Sequence, residues 1–328
     1  MHRLWLGLLN VAVGVIHWTL AAVLTYYVAV APLGEMIGEL RMAPAAPALT
    51  SWEWWIPVAK VALAVMAVFL LVVGIYTGAR YLSLGFSHSG KWGLSLLLRK
   101  ESSEKYIERI PLFDRVNHMM LVIGFLLALF TGYTLYFADN GYVYNFLYIG
   151  GRDVLANLHV IGGYIIFFAV TLHIARYFTL FLLYAVDLGI WRAIDKFPLL
   201  KLIPSLPFQL LDYYLWLFFI KKEHGKYHKY LPTQTLAYYA IGAFLIISGA
   251  TGMSMALYGM QSLDGLAWWV HLYSTLFLTI LIAFHVFMTS IRPEYFPLDP
   301  VLITGKVHEE AAKEEWPLWV DELRGGKA

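Results

Sequence analysis

Cysteine is absent from the 328-residue sequence. This absence excludes disulfide bonds, thiolate-bound zinc and iron–sulfur clusters held by cysteine. It also excludes a covalently attached c-type haem, because the Cys-x-x-Cys-His attachment motif needs two cysteines. If the chain holds a redox metal, histidine is the obvious ligand that remains, and the sequence contains 11 histidines.

Charged residues are also scarce: Asp, Glu, Lys and Arg make up 14% of the chain, whereas 60% of the residues are hydrophobic. Soluble domains contain about a quarter charged residues. The net charge of +2 is too small to indicate a nucleic-acid partner. The hydrophobic residues are concentrated in runs of the roughly 20 residues that a helix needs to cross a bilayer. The composition therefore predicts an all-α integral membrane protein, with the lipid bilayer as its surroundings.

Six hydrophobic runs are long enough to be transmembrane helices. They cover residues 4–31, 56–82, 116–137, 158–184, 235–258 and 266–291. Lysine and arginine are concentrated in the second and fourth connections, at 83–114 and 187–229, and are nearly absent from the other three. By the positive-inside rule, these two connections and both termini are predicted to be cytoplasmic.

The chain is predicted to have four parts. Residues 1–90 hold two N-terminal transmembrane helices, and residues 91–114 form a cytoplasmic connection. Residues 115–292 hold four further spans, which carry nearly all the intramembrane histidines, and residues 293–328 form a cytoplasmic tail with a short helix near 309–315. The polar stretch 187–229 contains Pro198, Pro204 and Pro207 and is predicted to lie partly on the membrane surface.

Ionisable residues are costly in lipid and usually mark a function. Six histidines lie within or at the edge of the predicted spans: His17, His118, His159, His173, His271 and His285. His159 and His173 are fourteen residues apart, and so are His271 and His285. Fourteen residues are just under four helical turns and about 21 Å along a helix. Each of these two helices therefore presents one imidazole near each side of the bilayer, on a common face.

A haem iron can be held by two imidazoles on opposite sides of the porphyrin. The two histidine-bearing helices run in the same direction, so His159 is level with His271, and the two form a candidate outer pair. On the inner side, His285 is level with both His173 and His118, so two pairings are open. The repeated spacing favours two haems over three alternatives: buried hydrogen-bonding histidines, a proton relay in a transporter, and a membrane anchor without haem.

Several segments between residue 110 and the C terminus form a pattern of their own. They are Phe-Asp-Arg-Val-Asn-His at 113–118 with Phe-Thr-Gly at 130–132, 158–178, Lys-Tyr at 229–230 with Gln234 and Thr-Gly at 251–252, 271–285, and the tail at 304–307 and 316–319. In order and spacing, these segments resemble the gamma subunits of formate dehydrogenases, which are di-haem b-type cytochromes.

The resemblance implies a four-helix core with two haem b groups, the inner one ligated by His118 and His285 and the outer one by His159 and His271. It implies an iron–sulfur or cytochrome subunit on the outer face, with a catalytic oxidoreductase subunit beyond it. The electron acceptor would be a quinone (menaquinone or ubiquinone) near the inner haem, in the cytoplasmic (inner) membrane of a bacterium or archaeon. Related cytochromes serve hydrogenases and thiosulfate or polysulfide reductases, and electron flow from quinol outward is equally compatible with the sequence.

Further site residues are predicted near the inner surface. Gln234 and His173 are candidates for the quinone site, although Leu231 replaces the asparagine of the related family. His173 also gives its helix a likeness to the two-histidine helices of cytochrome b in quinol–cytochrome c reductases, where both histidines are ligands. The Arg-x-x-His context of His118 fits the closer family and favours His118. Three cations are candidates for contact with haem propionates: Arg115, Arg176 and Lys229.

Overall fold

The computed structural model describes residues 105–136, 151–290, 295 and 299–325, together with isolated residues between 61 and 79. The predicted span at 4–31, most of the span at 56–82, and His17 lie outside these residues. Within them, four helices are long and apolar enough to cross a membrane: Leu112–Tyr136, Arg152–Leu188, Pro232–Tyr258 and Leu266–Val286. The last four predicted spans are therefore confirmed as candidate membrane helices, whereas the first two and the positions of the termini stay predictions.

The described chain is mostly helical. In order, its elements are β1 (Tyr106–Glu108), α1 (Leu112–Tyr136), α2 (Arg152–Leu188), α3 (Ile190–Asp195), α4 (Pro198–Leu202), a 3-10 turn (Ile203–Ser205), α5 (Leu206–Leu217), α6 (Pro232–Tyr258), α7 (Leu266–Ser290), α8 (Val301–Thr304), β2 (Lys306–His308), α9 (Glu309–Glu315) and α10 (Pro317–Leu323). The long helices form two closely packed pairs, α1 with α2 and α6 with α7.

The antiparallel helices α1 and α2 approach closely because glycines meet at their crossing. A Cβ atom at Gly124 would lie 3.0 Å from the carbonyl oxygen of Gly162. A Cβ atom at Gly162 would lie 2.7 Å from the backbone nitrogen of Ala128. Small residues at such crossings let membrane helices pack backbone to backbone. Gly124 and Gly162 therefore allow the close packing of α1 against α2.

The polar stretch 187–229 contains the three short helices α3, α4 and α5. Pro198 stands at the start of α4, and Pro207 lies in the first turn of α5. Proline suits the first turn of a helix because its missing N–H would have no partner there. Two large apolar side chains of this stretch face outward, Trp191 at 82% and Phe208 at 75% exposure. Outward apolar side chains on short helices next to membrane spans are typical of a segment at the membrane surface.

A buried aromatic core lies beyond the membrane helices and joins α5 to the C-terminal tail. Its largest members include Tyr213, Trp216, Trp316 and Trp319. The tail is also tied to the start of α1 by antiparallel pairing of β1 with β2. This two-stranded sheet was not predicted, whereas the predicted short helix at 309–315 is confirmed as α9. The stretch before α1 and the tail therefore lie on the same side of the helix bundle.

The N-terminal part of the chain contacts this aromatic core. Val73 is fully buried within it. The ring of Phe69 lies 5.8 Å from that of Tyr214, and the ring of Tyr76 lies 4.9 Å from that of Phe218, both as edge-to-face contacts. Such aromatic contacts stabilise beyond the apolar area they bury. The residues described between 69 and 76 thus help to hold α5 in place.

Candidate functional site

His159 on α2 and His271 on α7 face each other in the interior of the helix bundle. Both lie near the start of their helices, at the predicted outer side, and we call them the outer pair. Their ring centroids are 6.0 Å apart. A metal–imidazole bond is about 2 Å long and a ring centroid lies roughly 1 Å behind its nitrogen, so two imidazoles on opposite sides of one metal have centroids about 6 Å apart. Both rings border a cleft lined by α1, α2, α6 and α7, in which Gly163 and Gly249 leave open space. The outer pair therefore fits a haem held by two imidazoles.

Each imidazole of the outer pair is oriented by the helix that precedes it. Nδ1 of His159 lies 2.9 Å from the carbonyl oxygen of Ala128, and Nδ1 of His271 lies 2.8 Å from that of Ser248. A carbonyl oxygen only accepts hydrogen bonds, so Nδ1 carries the proton in both rings and Nε2 keeps its lone pair. Metal-binding imidazoles are commonly fixed in this way, with one nitrogen donating and the other free to bind the metal.

A Thr-Gly dipeptide lies against each ring of the outer pair. The Oγ1 atoms of Thr131 and Thr251 are 3.5 Å and 3.4 Å from the respective Nδ1 atoms. A Cβ atom at Gly132 or Gly252 would come within 2.8 Å or 3.0 Å of the respective Cε1 atom. Only glycine leaves room for the imidazole at these positions. The two dipeptides belong to the sequence motifs noted above, but their contact with the outer histidines was not predicted.

His118 on α1 and His285 on α7 form the inner pair. Their ring centroids are 6.4 Å apart, which is again close to the separation expected for two imidazoles on one metal. Within the described residues, neither ring makes a hydrogen bond to the protein. Of the two inner pairings that the sequence leaves open, the structure thus brings together His118 and His285.

His173 contacts tyrosines. Its Nε2 lies 2.8 Å from the hydroxyl oxygen of Tyr238, and its ring centroid lies 4.6 Å from that of Tyr177. The Tyr177 hydroxyl in turn donates to a carboxylate oxygen of Asp114, at 2.8 Å. The sequence pointed to His173 but not to these three partners. A tyrosine has no distinctive spacing signal, and its pairing with His173 depends on how the helices pack.

Two of the predicted propionate-binding cations contact other parts of the protein. Arg115 donates from its guanidinium to the carbonyl oxygen of Ile303 in the tail. The Arg176 guanidinium lies 4.0 Å from the ring centroid of Phe113, in a cation–π contact. Each arginine has five N–H donors, so these contacts leave donors for an anionic group.

The remaining predicted residues, Lys229 and Gln234, are joined by Arg109. The Arg109 guanidinium donates to the backbone carbonyl of Lys229 at 3.3 Å and to Oε1 of Gln234 at 3.2 Å. The backbone N–H of Leu231 donates to the same Oε1 at 3.1 Å, so only the amide N–H₂ of Gln234 remains for a ligand. Burial and the charge of Arg109 lower the pKa of Lys229. An anion beside Lys229 would oppose this shift and favour the charged ammonium.

Residues 109–294, more than half of the chain, match the protein family described as prokaryotic cytochrome b561. The matched stretch contains α1, α2, α6 and α7, and with them all four imidazoles of the outer and inner pairs. No curated protein matches the chain.

Proposed function

The chain belongs to the prokaryotic cytochrome b561 family, and on this premise we propose that it is a di-haem subunit that carries electrons between an external protein partner and a quinone. Family membership by itself makes the chain a membrane cytochrome b that binds haem b and transfers electrons. The proposal adds the number of haems, their ligands, the quinone and the type of complex.

The observation that carries the proposal is the presence of two imidazole pairs at two levels of one four-helix bundle. In each pair the ring centroids are separated by about the distance that a bis-imidazole metal site needs, 6.0 Å in the outer pair and 6.4 Å in the inner pair. A transporter that relays protons would need neither the opposed rings nor the repeated fourteen-residue spacing. A haem-free anchor would need no histidines at all.

The protein's residues bind and orient the two cofactors. His159 and His271 would hold the outer haem, and His118 and His285 the inner haem. When bound, the haems supply one-electron transfer across the apolar interior of the bundle. The backbone carbonyls of Ala128 and Ser248 accept from Nδ1 of the outer ligands, which fixes the rings and makes the ligating nitrogens more basic.

The inner end of the bundle supplies groups for propionates and for quinone. Arg115, Arg176 and Lys229 would pair with the negatively charged propionates of the inner haem. The free amide of Gln234 and the imidazole of His173 would contact a quinone (menaquinone or ubiquinone). Reduction of quinone at this end would consume protons from the cytoplasm, so charge would be separated across the membrane by the location of the sites alone.

The complex that fits best is a formate dehydrogenase, in which this chain would be the gamma-type subunit of a bacterial or archaeal cytoplasmic membrane. An iron–sulfur or cytochrome subunit on the outer face would pass electrons from a catalytic subunit to the outer haem. A hydrogenase or a thiosulfate or polysulfide reductase would use the same chain in the same way. A complex that oxidises quinol would run the electrons in the opposite direction.

The test is haem quantification on the purified full-length protein, with dithionite-reduced spectra of the wild type, His118→Ala and His173→Ala. We expect two haems per chain in the wild type, one in His118→Ala and two in His173→Ala. Loss of a haem in His173→Ala with full retention in His118→Ala would overturn the inner ligand assignment. A colourless wild-type protein would overturn the proposed function itself.

A further inference from the structure

The two pairs of long helices repeat one arrangement around the outer imidazoles. In each, the first helix presents a backbone carbonyl that accepts from Nδ1, followed three and four residues later by the Thr-Gly dipeptide under the ring. This carbonyl belongs to Ala128 in α1 and to Ser248 in α6. Because α1 and α6 run in the same direction, as do α2 and α7, a rotation of about half a turn around the bundle axis relates α1–α2 to α6–α7.

This rotation assigns a counterpart to each member of the inner pair. Fourteen residues before the glycine of the Thr-Gly dipeptide stands His118 in the first helix pair and Tyr238 in the second. Fourteen residues after the outer imidazole stands His173 in the first helix pair and His285 in the second. The inner pair is therefore related by the rotation to His173 and Tyr238, which lie at the same level in the bundle.

His173 and Tyr238 contact each other directly, whereas the imidazoles of the inner pair are separated by the width of a metal site. Nε2 of His173 lies 2.8 Å from the hydroxyl oxygen of Tyr238. Two axial ligands on opposite sides of one haem iron would have these atoms about 4 Å apart, so this pair is too close to hold a haem between its members. The helices that carry it, α2 and α6, pack directly against each other. The sequence repeat thus places a second pair of polar side chains at the inner level.

The His173–Tyr238 site opens toward the lipid side of the bundle. Tyr238 is 42% exposed. Ionisable residues within membrane helices are costly to bury in lipid and usually mark a functional site. A ligand that reaches this site from the bilayer must be apolar over most of its surface and must carry a hydrogen-bonding group. A quinone meets both requirements, because its carbonyl oxygens accept hydrogen bonds.

We propose that His173 and Tyr238 bind one carbonyl of the quinone ring and exchange a proton with it. This inference rests on the proposed function, since the two electrons come from the haem-bearing core. On reduction, two electrons and two protons convert both carbonyl groups of the quinone into hydroxyl groups. The Tyr238 O–H bond breaks as its proton forms the new O–H bond on the nearer quinone oxygen. His173 returns a proton to the tyrosinate, and the far oxygen takes its proton from cytoplasmic water.

Asp114 and Tyr177 connect this site to the cytoplasmic end of the bundle. Asp114 lies in the first turn of α1, and its Oδ2 accepts from the Tyr177 hydroxyl at 2.8 Å. Its Oδ1 is buried, and in the described part of the chain it has no hydrogen-bond partner. The ring of Tyr177 packs against that of His173, with centroids 4.6 Å apart. One tyrosine side chain therefore separates the Asp114 carboxylate from the imidazole that reprotonates Tyr238.

The test compares Tyr238→Phe and His173→Gln with the matched variant Tyr239→Phe. Tyr239 is the next residue on α6, and its hydroxyl is buried without a hydrogen bond among the described residues. Purified holoprotein is reduced, freed of reductant and mixed with menadione in a stopped-flow instrument while the reduced haem band is followed. The same samples are mixed with ferricyanide, which accepts electrons without protons. Menadione binding to the oxidised holoprotein is measured separately by calorimetric titration.

We expect menadione to oxidise the haems of Tyr238→Phe and His173→Gln about 100-fold more slowly than those of the wild type, as for loss of a positioned proton donor. Menadione should also bind these variants more weakly. Oxidation by ferricyanide and the haem content should be unchanged, and Tyr239→Phe should match the wild type throughout. Wild-type menadione rates and affinity in Tyr238→Phe or His173→Gln would overturn this inference while leaving the di-haem function intact. Absence of haem from the wild type would overturn both.

Discussion

Addition of a single methyl group at Gly132 should displace the outer haem. The Cβ atom of alanine at this position would lie 2.8 Å from Cε1 and 3.0 Å from Nδ1 of His159. Carbon atoms in favourable contact are about 3.5–4.0 Å apart, so the ring or the α1 backbone must move by roughly 0.7 Å or more. That movement also disturbs the hydrogen bond from Nδ1 to the Ala128 carbonyl oxygen.

The cost follows from two contributions. Overpacking of this kind costs about 1–3 kcal/mol, and loss of the hydrogen bond adds about 1 kcal/mol. If about 2–3 kcal/mol of this total appears in haem binding, affinity at the outer site falls roughly 30- to 150-fold. Gly252→Ala should have a smaller effect, because its Cβ would lie 3.0 Å from Cε1 of His271.

The assay is the ratio of haem to protein after purification, with Gly242→Ala as the control. Gly242 also lies in α6, but a Cβ atom there would meet nothing within 4 Å. We expect Gly132→Ala to retain close to one haem per chain, Gly252→Ala an intermediate amount and Gly242→Ala two. Full haem content in Gly132→Ala, with unchanged spectra, would refute the argument that glycine is required beneath the imidazole.

Three further predictions concern the tail and the haem potentials. Arg109→Met should destabilise the protein by about 2–3 kcal/mol and expose the tail to limited proteolysis, because the guanidinium stacks 3.6 Å from the Trp316 ring and donates to Gln234; an unchanged digestion pattern would count against this. Hydrogen bonds from Lys313 are the main reason that the pKa of Glu309 is lowered from 4.5. The ionised carboxylate of Glu309 therefore stabilises the fold above pH 4.5, and this stabilisation is lost as the pH falls through the lowered pKa. Glu309→Gln should reduce the thermal midpoint more at pH 7 than at pH 3, and an equal loss at both would contradict it. Finally, redox titration should give the outer haem a lower midpoint potential than the inner one, because the hydrogen bonds at Nδ1 make the outer ligands more basic. The His118→Ala variant, which should keep only the outer haem, shows which potential belongs to which haem. The reverse order of potentials would disprove this reason.

The sequence was sufficient to predict the four long helices and the two depths in the bundle at which the histidines lie. Apolar length alone predicts α1, α2, α6 and α7, since a membrane span has few alternatives. The fourteen-residue spacing identifies which imidazoles share a helix face, because helical rise and twist are constant. It could not choose between His118 and His173 for the inner level, since that choice depends on the rotation of α1 and α2 within the bundle.

Other features depend on contacts between distant segments. The pairing of β1 with β2 joins residues 106–108 to 306–308, and three-residue strands carry no sequence pattern of their own. Gln234 was expected to bind quinone, yet its Oε1 is engaged by Arg109, a residue 125 positions away. The Thr-Gly dipeptides were visible in the sequence, and their equal distances to His118 and Tyr238 could have shown the internal repeat.

The central claim is that opposed imidazoles hold two haems in each chain. Low-temperature electron paramagnetic resonance and near-infrared magnetic circular dichroism of the oxidised wild-type protein test it most directly, with the haem content measured on the same sample. We expect two low-spin ferric centres per chain, both with the signature of two imidazole ligands. A single centre, a high-spin haem or a spectrum of methionine ligation would contradict it.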